Sequence, residues 1–245
     1  MKNELNIVIP MAGLGSRFSV KGYIKPKPFI DVLGKPMIEH VLENLYIPNA
    51  KYFLIVRKEH FEKESEIIDE IKRKYNVEFI LINQLTEGSA CTVLHAQNYI
   101  NHDLPLIIAN SDQIVDFNLN EFLVKANKKD GCILTFIDDS LDSKWSFVKI
   151  NESEEAIQVK EKEAISNIAT VGIYYFKTGL DFINATYEMI HKNDRVNNEF
   201  YTCPVYNYLI QKGLKIGIYM IEKNNMHGIG TPEDLDKYLE IIKNN

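Results

Sequence analysis

The sequence predicts an α/β fold, a mostly parallel mixed sheet with helices on both faces. Three observations lead there: apolar runs of strand length recur through the first half, stretches with helical spacing separate them, and the first run breaks directly into a glycine-rich turn. Such alternation builds βαβ units, whose parallel sheet is covered on both faces. Ligands of these sheets bind outside the carboxyl ends of the strands, near the switch in strand order.

The strands of the first half are read from "LNIVIPM", "KYFLIVRK", "VEFILIN" and "PLIIANS", and the helices from "MIEHVLENL", "EKESEIIDEIKRKY" and "ACTVLHAQNYI". After about residue 130 the pattern loosens: "GCILTFIDD", "WSFVKI", "EAIQVKEK" and "NIATVGIYYF" read as strands with no helix between them. That stretch is expected to form an inserted lid or acceptor-binding portion. Helices return at "LDFINATYEMIHK", "EFYTCPVYNYLIQKG" and "PEDLDKYLEIIK", with "LKIGIYMI" a strand between the last two. There is no internal repeat, low-complexity tract or linker, so residues 1–245 are expected to form a single domain.

Composition narrows the function. With 245 residues, 45% of them hydrophobic, the chain can bury one substantial core. The 34 acidic residues outnumber the 28 Lys and Arg, which argues against a nucleic-acid partner and against an anionic membrane surface. The cysteines, Cys91, Cys132 and Cys203, are far apart and form no C-x-x-C pair, so neither a disulfide framework nor a zinc knuckle is encoded. No signal sequence or membrane-length run is read, and a cytoplasmic protein is expected.

The stretch "IPMAGLGSRF" carries the first chemical signal. A dinucleotide fingerprint would need a third glycine where Phe18 stands, and no Lys-Ser or Lys-Thr closes a P-loop. What remains is a loop after a strand whose backbone N–H groups can face an anion, with Gly13 and Gly15 permitting close approach. Arg17 adds a permanent charge with a fork that matches phosphate oxygens. Lys27 is pinned between Pro26 and Pro28 in a segment that cannot become regular helix. Gly-x-Gly alone would read as an ordinary surface loop; the arginine, the lysine and the strand before them favour a phosphate cradle.

Gly-x-Gly-Ser-Arg followed by Lys-Pro and then "GKPMIEHVLENL" resembles the sugar-phosphate nucleotidyltransferases, the nucleoside-diphosphate-sugar pyrophosphorylases, with motif order matching over nearly the full chain. The resemblance implies a single Rossmann-like (GT-A-like) domain, residues 1–130 approximately its nucleotide-binding half and residues 131–245 its acceptor-binding half with closing helices. It implies that Gly13, Gly15, Ser16 and Arg17, with Ala12 in the same loop, hold the triphosphate. Lys27 would bridge the α-phosphate and the attacking phosphate, Arg17 and Lys27 being the catalytic pair. "NQLTEGSACTVLHA" resembles the segment that reads the base, with Gln84 facing its edge and Gly88 leaving room beside it; the same residues also read as a strand end and a Gly-Ser helix start. "IIANSDQ" puts Asp112 where the family carries its magnesium aspartate, although an Asn-Ser-Asp turn needs no metal. Glu161 and Lys162 resemble the Glu-Lys pair that contacts the acceptor, a pair that alone reads as a solvated surface feature. Trp145, Asn198 and Tyr201 sit where the acceptor pocket is usually lined, and read equally as core or hinge residues.

The sequence also departs from the family pattern. Gly228 in "MHGIGTPEDL" stands where the family has a second metal aspartate, and His227, Asp116 and Glu199 are not selected as substitutes from sequence alone. Gly-Asp has become Ser111-Asp112, and Glu-Lys-Pro has become Glu161-Lys162-Glu163. The resemblance implies a Mg2+-dependent transfer of a nucleoside monophosphate from a nucleoside triphosphate to a phosphorylated small molecule, with pyrophosphate leaving. "IPMAGLGSRF", "KPKPFIDV" and "NSDQ" together look most like small enzymes of bacterial capsule clusters, some of which load CTP onto acceptors such as phosphoglutamine; sugar 1-phosphates are the rival acceptors. A GT-A-type glycosyltransferase and a catalytically silent nucleotide-binding relative are the competing readings, the first weakened by the lack of Asp-x-Asp in "NSDQIVD". Homo-oligomerisation is left open.

Overall fold

The computed structural model describes residues 5–244. The strands in chain order are β1 (Asn6–Pro10), β2 (Asp31–Val32), β3 (Lys35–Pro36), β4 (Lys51–Arg57), β5 (Val77–Ile82), β6 (Leu106–Ala109), β7 (Gln113–Val115), β8 (Gly131–Ile137), β9 (Ser146–Ile150), β10 (Ala156–Glu161), β11 (Ile168–Phe176), β12 (Ile216–Ile221) and β13 (Met226–Gly228). Among the described residues the main sheet has nine strands, running β10-β9-β11-β6-β1-β4-β5, with β8 on β11 and β12 on β8. β1 pairs in parallel with both β4 and β6, and β4 with β5. The chain thus builds outward from β1 to β5, then returns to the other side of β1 at β6. That return is the switch in strand order, and it opens a crevice at the carboxyl ends of β1 and β6.

β11 runs antiparallel to β6, β8 and β9 and carries the sheet from the first half into the second. Its register with β8 shifts between Thr170 and Tyr174. Gly172 lies in that irregularity at φ +92, and its carbonyl accepts the Asn110 N–H at 2.9 Å. A β-bulge of this kind re-aims side chains at a sheet's functional rim.

Side-chain alternation explains the two faces. On β1, Ile7 and Ile9 point to one face, where Val41, Ile68 and Phe122 cover them; Val8 points to the other, beneath Val93, Phe182 and Leu209. A third apolar cluster, Phe18, Ile30, Val32, Met37, Ile229, Leu235 and Tyr238, ties the helix after the glycine loop to the last helix, Pro232–Lys243. The phosphate-loop candidate therefore rests on its own small core.

The helices differ from expectation in detail. The "EKESEIIDEIKRKY" stretch is interrupted at Glu64, giving Lys58–Lys63 and Ser65–Lys74. "ACTVLHAQNYI" divides into Ser89–Leu94 and Gln97–Ile100. The helix expected over "EFYTCPVYNYLIQKG" begins only at Val205, because Pro204 suits the start of a helix rather than its interior. A helix not read from sequence, Leu119–Ala126, is capped by the Asn118 side chain, which accepts the Glu121 N–H at 3.2 Å. None of the helices in the described residues is long and apolar enough to cross a membrane.

Candidate active site

The glycine loop leaves β1 and turns at Gly15, which has φ +61 and starts the short helix Ser16–Val20. A β-carbon on Gly15 would lie 2.9 Å from the Lys27 β-carbon, so this glycine lets the Lys27 segment lie against the loop. Gly13 is different: nothing lies within 4 Å of where its β-carbon would be, and that space opens on the crevice. Phe18 is buried and meets Tyr23 edge-on at 5.1 Å, anchoring the helix that presents Arg17. Arg17 is exposed, and among the described residues it has no ion-pair partner.

Lys27 opens the 3-10 turn Lys27–Phe29, with Pro26 before it and Pro28 within it. Its Nζ donates to Asp112 Oδ2 at 2.6 Å, both side chains being mostly buried. Asp112 follows β6 and is held from the far end of the chain. β13 pairs with β7, placing Gly228 opposite Gln113, and the Ile229 N–H donates to the Asp112 carbonyl at 2.9 Å. A β-carbon on Gly230 would lie 2.5 Å from Asp112 Oδ2, so the carboxylate occupies the room this glycine leaves.

The same cavity, about 490 Å³, continues to a second group of polar residues. Glu161, at the end of β10, accepts a hydrogen bond from the Ser146 hydroxyl on β9. Burial pushes the Glu161 carboxyl above the usual range, against the opposing pull of Ser146 and Lys162. Lys162 has φ +57; its Nζ donates to the Tyr201 hydroxyl at 2.6 Å and lies 4.5 Å from that ring's centroid. Trp145 packs edge-on against Phe136 at 5.3 Å, with the Lys144 Nζ 4.6 Å from its ring. The loop carrying Trp145 is fixed by buried Asp138, which accepts from Lys223 Nζ at 2.6 Å, from Ser140 and from the Asp142 N–H.

The nucleotidyl transferase family model matches residues 7–240. The chain belongs to that family. Over 235 residues it is 28% identical to the bifunctional protein GlmU of Methanococcus maripaludis, covering 94% of this chain and 53% of that protein. The chain thus spans about half the length of the curated relatives it matches. It is 26% identical to the nucleoside-diphosphate-sugar pyrophosphorylase from Vibrio cholerae RC9, with a TM-score of 0.84, 96% of this chain and 99% of that chain being covered. The inositol-1-phosphate CTP transferase from T. maritima shares the fold at 14% identity, with a TM-score of 0.74 over 97% of this chain and 94% of that one.

In this member of the family, Gly13, Gly15, Arg17, Lys27, Asp112, Trp145, Glu161, Lys162 and Tyr201 line one cavity. Ala12, Ser16, Gln84, Gly88 and Asn198 do not line it. Ala12 is buried in the core, Ser16 faces solvent, and Gln84 is exposed just beyond β5. Gly88 has φ +117, and a β-carbon there would fall 2.4 Å from the Phe200 carbonyl oxygen and 2.6 Å from its nitrogen. Its missing side chain therefore makes way for a neighbouring backbone, a different reason from the room beside a base expected from sequence. Asn197 and Asn198 have φ of 49 and 65 between Val196 and Glu199, which bridge each other; the Asn-Asn pair makes a tight left-handed hairpin turn.

Sequence reasoning missed Ser146, Gln113, Gly172 and Gly230. Gly230 stands in the quoted "MHGIGTPEDL" and Gln113 in "NSDQ", but their importance comes from contacts with distant segments. Of the substitutes weighed for a second carboxylate, His227, Asp116 and Glu199, none lines the cavity; along β13 Met226 and Gly228 face it, and His227 packs at 5.2 Å against Tyr238. Among the described residues no three His, Cys, Asp or Glu side chains gather into a metal cage. The donor set suits a magnesium ion held by the Asp112 carboxylate together with substrate phosphate oxygens and water, which is how this hard, reluctantly dehydrated cation is commonly bound.

Proposed function

We infer that this chain transfers a nucleoside monophosphate from a nucleoside triphosphate to the phosphate of a small-molecule acceptor, releasing pyrophosphate. The observation that carries this reading is the placement of Lys27, 2.6 Å from Asp112, between the glycine loop with Arg17 and the Glu161–Lys162 group across one cavity. Two polyanions must meet for this reaction, and the cavity offers cations at both ends with a carboxylate between them. The acceptor phosphate is already ionised at neutral pH, so no general base is required. The glycine loop and Arg17 take the departing pyrophosphate, Lys27 spans the reacting phosphates and Lys162 draws in the acceptor. Catalysis is then positioning and charge neutralisation. When bound, magnesium supplies further neutralisation of phosphate oxygens, with Asp112 as its protein carboxylate.

Gly13 and Gly15 complete the nucleotide end of the cavity in this reading, and Trp145 and Tyr201 the acceptor end. The similarity to a nucleoside-diphosphate-sugar pyrophosphorylase over nearly the whole of both chains supports a sugar 1-phosphate as one acceptor class. CTP with phosphoglutamine or a phosphocholine-like acceptor, for a capsule or cell-surface precursor made in the cytoplasm, is the more specific reading to test. Gly228 favours one rival, a silent nucleotide binder, because no carboxylate stands there.

The deciding experiment is pyrophosphate release with magnesium across CTP, UTP, dTTP, ATP and GTP, each with sugar 1-phosphates, phosphocholine and phosphoglutamine. Release with one pair establishes the transfer and names both substrates. Thermal protection by a triphosphate without release from any pair would replace this reading with the silent binder.

A further inference from the structure

Gln113 lies directly after Asp112, at the start of β7, in a position that is only 4% exposed. Its Nε2 is buried and has no hydrogen-bond partner. A buried donor left unpaired is costly, and the great majority of such groups in folded proteins find partners. Gln113 nevertheless lines the cavity that holds Lys27, Asp112 and Glu161.

Its surroundings place it toward the acceptor end. The β-carbon position missing from Gly172 would lie 2.9 Å from Gln113 Oε1 and 2.3 Å from Asn110 Nδ2, so both carboxamides pack over that glycine's bare side. Gly172 is on β11, between β6, which leads to Asp112, and β9, which carries Ser146 against Glu161. Gln113 therefore stands between the Lys27–Asp112 pair and the Ser146–Glu161 pair. Asn110, exposed at the end of β6, is its neighbour on the cavity side.

We propose that the Gln113 carboxamide is a specificity-determining group of the acceptor site, its unpaired N–H reserved for an oxygen of the bound acceptor. This rests on the transfer reading above. The chemistry recognised is a hydrogen-bond-accepting oxygen, hydroxyl, carbonyl or carboxylate, on the acceptor's organic part. The terminal torsion of glutamine is broad, so the carboxamide turns toward the ligand without leaving a rotamer well. A neutral donor is suited to this place, because it adds selectivity without altering the charge balance between Lys27, Asp112 and the two substrates.

Gln113→Met keeps the volume and removes the donor. The expected result is a rise of about tenfold in KM for the acceptor that the wild-type protein uses, with KM for the triphosphate unchanged. The free variant is also expected to melt about 2–4 °C higher than wild type, because the buried unpaired donor is gone. A merely structural glutamine would give the opposite second result. An unchanged acceptor KM overturns the proposal, and so does a lower melting temperature of the free variant, whether or not any substrate pair turns over. Should the wild-type protein release no pyrophosphate from any pair, the transfer reading fails; a higher melting temperature of Gln113→Met would then still support Gln113 as a donor held for a ligand of this cavity.

Discussion

Replacing Lys27 with methionine separates the folding role of this residue from its chemical one. In the free protein its ammonium makes one short charged hydrogen bond to Asp112, at 2.6 Å, with side chains 21% and 27% exposed. A hydrogen bond to a charged group contributes about 1.5–3 kcal/mol, and partial solvent contact reduces this to about 1–2 kcal/mol here. Lys27→Met should therefore melt only about 2–8 °C below wild type. The effect on turnover should be much larger, because in the proposed reaction the lost charge spans the two reacting phosphates. Removing one oriented electrostatic group from a reacting centre costs about 100- to 1,000-fold in kcat. The assay is steady-state pyrophosphate release at saturating substrates beside a calorimetric melting scan. Lys27→Arg should fail to restore turnover, since a planar fork does not reproduce a compact ammonium held 2.6 Å from Asp112 Oδ2. A Lys27→Met protein that retained kcat within about threefold of wild type would refute the assignment, because threefold is less than 1 kcal/mol of barrier.

Three further outcomes are expected. Gly88→Ala should cost about 3 kcal/mol and lower the melting temperature by about 6–12 °C, because its β-carbon would fall 2.4 Å from the Phe200 carbonyl oxygen at φ +117; a scan within a degree of wild type would show that Phe200 yields freely. Asp138 is buried, which alone would raise its carboxyl, but Lys223, Ser140 and the Asp142 N–H outweigh that and hold it at about 2. Its stabilising contribution is present above the unfolded carboxylate range near pH 4 and is lost as pH falls through about 2, so Lys223→Met should move the acid-unfolding midpoint to higher pH, as followed by circular dichroism. Glu161 has the opposite sign: burial raises its folded carboxyl, so the folded state loses stability as pH rises from the unfolded carboxylate range near 4 into the raised folded range above it. Glu161→Gln should therefore melt higher than wild type at pH 8 but not at pH 4, while acceptor KM rises; an equal gain at both pH values would show that ionisation is not the cause.

The sheet and the glycine loop after its first strand were legible because their signals are local. Ile7, Val8 and Ile9 alternate between two covered faces, and the turn at Gly15 follows from a glycine placed straight after a strand. Lys27 was legible because Pro26 and Pro28 hold it out of a regular helix, and it occupies a 3-10 turn. The family resemblance pointed to Asp112, but not to what holds it. Gly230, which makes room for the carboxylate, and Ile229, which binds its carbonyl, are more than a hundred residues away. The same is true of Gly88 with Phe200. A glycine in sequence shows only that a side chain is missing, and whether ligand, backbone or solvent fills the space is decided by tertiary contacts. Asn198 shows the reverse error: the Asn-Asn pair is a local turn signal, and its place in the family pattern drew attention from that simpler reason.

The Lys27–Asp112 pair links the two ends of the cavity. In the free protein each group satisfies the other, so neither charge stands bare beside the glycine loop. A bound triphosphate would compete for Lys27, and a hard cation would compete for Asp112; neither ligand alone compensates the partner it strips. Bound together they do, the anion taking the lysine and the cation the carboxylate. The pair thus favours joint binding of triphosphate and cation over binding of either alone, and by linkage each must strengthen the other by the same factor. Gly228 adds no side chain opposite Gln113, so a cation taken up beside Asp112 in this way would gain no carboxylate from that position.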